Sequence, residues 1–106
     1  MNEHRVDPIQ RNIIRDIIEE RNKQRQIVAE PEEDLQKNPS DWVGILTIWV
    51  GKAAQETPLN RGRGFSSEMF RRRLVQVAAI SLAALEALDA RRGKGREASD
   101  GSVHNS

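Results

Sequence analysis

The sequence predicts an all-α protein, a small helical bundle of three main helices with an antiparallel hairpin between the second and the third. Three observations predict it. Apolar residues recur at helical spacing in three separate stretches. Proline- and glycine-bearing segments at 30–39 and 56–65 separate them. No stretch shows the alternation of a half-buried strand, and no internal repeat is present.

The first helix is predicted from Pro8 to about Ala29. Asp7 suits the N-cap, and Pro8 suits the first helical position, where a missing N–H costs nothing. Ile9, Ile13, Ile14, Ile17 and Ile18 form its apolar face, and the sequence then turns polar from Glu19 to Gln26. Residues 30–39 read as an acidic connector bounded by Pro31 and Pro39, because a proline disfavours helix at the residue before it.

The second helix is predicted from near Ser40 to about Gln55. Trp42, Val43, Ile45, Leu46, Ile48, Trp49 and Val50 cover most of its circumference, so burial on several sides is expected. One chain supplies few partners for such a helix. A homodimer, or a dimer of dimers, is expected to complete the bundle. Residues 56–65, with Pro58, Gly62 and Gly64, read as a loop. Ser66 is the expected N-cap of the third helix, with Phe65 and Phe70 in the positions of a hydrophobic staple. That helix is predicted to reach Arg92 and stop at Gly93. Residues 1–93 are thus read as one helical domain and 94–106 as a disordered tail.

The chain has 106 residues, and a domain of that size buries only about two-thirds of its unfolded surface. Lys and Arg number 17 against 16 Asp and Glu, a net charge of +1 that gives no polyanion-binding signature, so no nucleic-acid partner is expected. Cysteine is absent, which excludes disulfides and thiolate metal sites. No stretch approaches the roughly 20 apolar residues of a membrane span, and the first residues lack a signal peptide's apolar run. A soluble cytoplasmic location is expected.

Two segments carry a resemblance. Asp41 to Ala54 reads D-W-V-G-I-L-T-I-W-V-G-K-A-A, and Phe70 to Asp89 reads F-R-R-R-L-V-Q-V-A-A-I-S-L-A-A-L-E-A-L-D. Together they resemble the all-α MazG-like nucleotide pyrophosphohydrolases, especially the small phage versions. That family reads W-x-x-x-L-x-E-E-x-G-E-x on one helix and L-R-x-E-L-V-(D/Q)-V-A-A-x-x-x-A-x-x-E-A-L-D on another. The scaffold positions Trp42, Leu46, Gly51, Ala53, Leu74, Val75, Val77, Ala78, Ala79, Ala84, Glu86, Leu88 and Asp89 match. The carboxylates that hold magnesium in the family are replaced by Ile48, Trp49, Lys52 and Arg73. Trp49, Lys52 and Arg73 cannot coordinate magnesium. The resemblance therefore implies a catalytically inactive relative with no catalytic residues, no metal ligands and no cofactor.

A basic constellation stands near the lost site. Arg61 and Arg63 lie in the glycine-bearing loop, Arg71, Arg72 and Arg73 open the third helix, and Lys52 lies on the facing helix. Arginine forks suit phosphate oxygens, and a helix N-terminus favours anions. Consecutive arginines project around a helix, so at most two of the three share a face. The alternative is a solvated basic surface balanced by the acids at 30–34. On the first helix, Glu20, Arg21 and Gln24 are similar to the E-R-x-x-Q stretch that lines the nucleotide pocket of phage relatives. An exposed helix end explains them equally. Trp49 fills the emptied ligand position, with stacking on a base as the alternative.

These residues yield three functional expectations. The first is an inactive MazG-like protein that binds a nucleotide or other phosphate compound through Arg21, Gln24, Lys52, Arg61, Arg63, Arg72 and Arg73. A phage could use it in the host cytoplasm to sequester a signalling nucleotide. The second is a helical module that binds a host or phage protein. The third is a divergent but active nucleoside triphosphate pyrophosphohydrolase.

Overall fold

The computed structural model describes residues 7–27 and 31–98, and these are helical almost throughout. Helix α1 spans Pro8–Ile27, α2 Pro31–Gln36, α3 Pro39–Ala54, α4 Pro58–Arg61 and α5 Ser67–Ala98, with a 3₁₀ turn at Gly62–Gly64. No strand occurs among the described residues, so the all-α reading holds.

The helix starts follow local chemistry. Asp7 caps α1 as expected, its carboxylate accepting from the Ile9 N–H at 2.8 Å. Ser66 caps α5 by accepting from the Met69 N–H at 3.2 Å. Two helices were not expected, and their starts share one reason with that of α3. Pro31, Pro39 and Pro58 each open a helix rather than end one. Proline forbids helix before itself but fits the first helical position. The connector at 30–39 therefore holds α2, and the loop at 56–65 holds α4 and the 3₁₀ turn. The second predicted helix begins at Pro39, near Ser40 as expected, capped by Asn38. The Asn38 side chain accepts from the Asp41 N–H, and Asp41 accepts from the Asn38 N–H, both at 2.9 Å.

The third predicted helix runs past Gly93 to Ala98. A terminating glycine usually turns left-handed, but Gly62 alone has a positive φ among the described residues. Lys94, Arg96, Glu97 and Ala98 favour helix and carry it on. The remainder of the expected tail, 99–106, and the expected end of the first helix at 28–29 lie outside the described residues.

Helix α5 is the spine on which α1, α2 and α3 all pack. α3 runs antiparallel to it: Trp42 near the α3 start clusters with Ile80, Ala83 and Ala87, while Glu56 beyond its end faces Arg73. α1 runs parallel to it, since Asp16 pairs with Arg71 and Arg21 with Glu86. The alanines of α5 let Trp42 approach closely, and Leu35, Ile45, Leu46 and Trp49 close around that cluster. Trp42 is only 7% exposed, yet no large side chain among the described residues is fully buried. The core of one chain is thin, as its length implies.

The circumference of α3 is only half used. Its inner side carries Trp42, Ile45, Leu46, Trp49 and Ala53, while Val43, Ile48 and Val50 on the outer side stay 60%, 61% and 52% exposed. No helix among the described residues is long and apolar enough to cross a membrane.

Candidate functional site

Of the four residues that the resemblance sets at ligand positions, Trp49 and Arg73 lie toward the α3–α5 seam. Ile48 faces outward, away from α5. Trp49 is half-buried against the core cluster. The Lys52 ammonium lies 5.1 Å from the Trp49 ring centroid, a cation–π contact within one helix turn. Arg73 lies 3.8 Å, Nε to Oε2, from Glu56, and its Nη1 donates to Gln76 Oε1 at 3.2 Å. Arg61 approaches the other oxygen of Glu56 at 3.2 Å. Two of the expected phosphate-binding arginines thus meet on a carboxylate of this chain.

Glu56 has a side chain only 10% exposed, and burial of a carboxylate requires compensation. Arg61 supplies it from the α4 turn and Arg73 from α5. The Arg73 Nε is itself buried without a hydrogen-bond partner, so Glu56 is its nearest electrostatic support. The seam contains one carboxylate between two guanidiniums, and these residues do not fit a magnesium ion. Among the described residues, no group of three or more Asp, Glu, His or Cys side chains could hold a metal.

The remaining arginines of the basic constellation diverge. Arg63 sits exposed in the 3₁₀ turn. Arg71 turns toward α1, its Nη2 donating to Asp16 Oδ2 at 2.8 Å. That hydrogen bond is the main cause holding the Asp16 carboxyl below its usual range, against a weaker upward push from desolvation. Arg72 and Arg71 both line a cleft of ≈ 460 Å³ between α1 and α5, where Asp16, Glu19 and Glu68 balance them. Two of the three consecutive arginines share a face, and Arg73 takes the other side.

A second cleft, ≈ 350 Å³, opens between α1, α2 and α5. Its floor is Leu35, Ala83, Ala87 and Ala90, and its polar wall is Arg21, Arg25, Asp34 and Glu86. Arg21 is buried. Its Nε donates to Glu86 Oε1 at 2.9 Å, and its Nη2 lies 3.7 Å from Asp34 Oδ2. Arg25, one turn further on, donates to the same Glu86 oxygen at 2.9 Å. Desolvation pushes the Glu86 carboxyl up, but the hydrogen bonds from Arg21 and Arg25 outweigh it and hold the group below its ordinary value. Gln24 is half-buried on the same helix but does not line this cleft.

Of the seven expected ligand residues, Arg21 lines this cleft, Arg72 lines the other, and Arg61 and Arg73 meet at Glu56. Lys52, Arg63 and Gln24 join none of these groups. The sequence reading missed Arg25, Asp34 and the polar role of Glu86. The i to i+4 step from Arg21 to Arg25 was the available signal, since it places both guanidiniums on one helix face.

Comparison of the chain with protein-family models, with curated proteins and with solved structures finds no match, and the MazG-like resemblance rests on the sequence segments alone.

Proposed function

We propose that the protein is a MazG-like helical protein without catalytic machinery that binds a nucleotide or another small phosphate compound and leaves it intact. One observation carries this reading: Arg21, singled out by its E-R-x-x-Q segment, forms the buried wall of the ≈ 350 Å³ cleft. That volume lies within the range of small-molecule sites, which combine an apolar lining with a few fixed polar groups. Leu35 and the alanines of α5 offer an apolar surface to a base. Glu86 orients Arg21 and Arg25 together, and each guanidinium has five N–H donors, more than these contacts use. A phosphate at the cleft mouth would take the remaining donors of Arg25, whose side chain is 55% exposed. The resemblance supports binding without hydrolysis: Trp49, Lys52 and Arg73 stand where the family pattern has the carboxylates that hydrolysis requires.

Thermal denaturation with ATP, GTP and inorganic pyrophosphate, each with and without magnesium, tests this reading. The nucleotides should raise the melting temperature without the metal, and pyrophosphate release should stay at background. Arg25→Ala should remove the shift, while Arg63→Ala should retain it. Magnesium-dependent turnover by the pure protein would establish the active-enzyme alternative. No stabilisation by any phosphate compound would favour an interaction module that binds through the surfaces of α3 and α5, where Val43, Ile48, Leu85 and Leu88 are exposed.

A further inference from the structure

We propose that the outer face of α3 is the seam of a homodimer, with α3 of a second copy lying antiparallel across it. At 3.6 residues per turn, Gly44, Thr47 and Gly51 run down the middle of that face. Val43 and Val50 lie along one flank, and Ile48 along the other beside Asp41 and Lys52. The valines and Ile48 are more than half exposed. The Thr47 hydroxyl already donates to the Val43 carbonyl at 2.7 Å, so it can be covered without losing a partner.

The second copy is argued from charge and from the chain's own packing. Asp41 and Lys52 are the only charged residues of α3, of opposite sign and placed near its two ends. They share one flank. In an antiparallel pair related by a two-fold axis, residues of the same flank meet, so Asp41 of each copy faces Lys52 of the other. The same operation sets Val43 against Val50 at both ends. A face that is complementary to itself in charge and shape fits another copy of this chain better than an unrelated helix. Among the described residues no large side chain is fully buried, and this seam extends the core from α5 through α3.

The glycines agree with this placement. Both sit inside a helix, where glycine is unfavourable. A Cβ built on Gly44 or Gly51 would meet nothing within 4 Å. The fold of one chain therefore has no steric need for either, whereas a closely approaching second backbone does. The seam is independent of the ligand reading, and either can fail alone.

Sedimentation equilibrium at micromolar concentration should give twice the chain mass. Ile48→Glu and Gly51→Leu should each yield monomers with unchanged far-UV helicity, because neither position packs against its own chain. Register is read with cysteines, which the chain lacks. Thr47→Cys, beside the two-fold axis, should oxidise to a covalent dimer. Val43→Cys and Val50→Cys should cross-link when mixed, but neither with itself, because like positions lie about 10 Å apart along the antiparallel seam, beyond disulfide reach. A monomeric native chain would overturn the proposal. So would a dimer that tolerates Ile48→Glu, or self-cross-linking of Val43→Cys, which marks parallel helices.

Discussion

Glu56 and Arg73 stand 3.8 Å apart across the α3–α5 seam, a buried acid facing a half-buried base. The pair is structural in form. Arg61 adds a second guanidinium from the α4 turn, so the acid ties that turn to both long helices.

Removing this acid should destabilise the fold. Glu56→Ala leaves Arg73 half-buried without a charge partner, and the expected loss is about 1–3 kcal/mol. Arg73→Glu should cost at least as much, since it sets two carboxylates together at the seam. Urea denaturation of both variants against the native chain measures the two losses. Equal stability of Glu56→Ala and the native protein would show that the pair contributes nothing.

Trp42 should be the most costly side chain to truncate. It is the largest member of the buried cluster and is 7% exposed. Trp42→Ala should lose roughly 3–5 kcal/mol. Lys37, whose ammonium stands 5.4 Å from the ring centroid, should contribute far less, and Lys37→Ala should stay near the native midpoint.

Acid should weaken the α1–α5 contact through Glu86. Its carboxyl is held below the ordinary glutamate value by Arg21 and Arg25, so the folded state binds its proton less readily than the unfolded chain. The resulting stabilisation is fully present above the ordinary value, about pH 4.3, and fades as the pH falls through the lower folded value. Melting temperatures followed from neutral pH to about pH 3 should fall less steeply for Glu86→Gln than for the native chain. Identical slopes would remove Glu86 from the acid response.

Two glycine substitutions should act in opposite directions. Gly93 is helical, and a Cβ there meets nothing within 4 Å, so Gly93→Ala should stabilise by about 0.5–1 kcal/mol. Gly62 holds φ at 53° between α4 and the 3₁₀ turn, a backbone region that L side chains rarely adopt. Gly62→Ala should destabilise despite the open space around it. Paired thermal melts read both signs.

The sequence by itself determined what depends on neighbours along the chain. Asp7 and Ser66 announce the helices that they cap because a capping side chain reaches only two or three residues ahead. The apolar spacing around Trp42 identified the core face of α3 for the same reason. Pro31 and Pro58 are equally local, yet one residue type both ends and begins helices, and the flanking sequence alone does not distinguish a connector from the short helices that they open. Only the tertiary structure decided the partners of the charges. Arg21 and Glu86 are 65 positions apart, and Arg71 and Asp16 are 55 apart. No periodicity within either helix encodes such a pairing. It follows from α1 lying parallel and α3 antiparallel to α5, with the α5 alanines packed against Trp42 of α3. That packing turned a predicted basic cluster into separate ion pairs and placed Arg21 in the cleft.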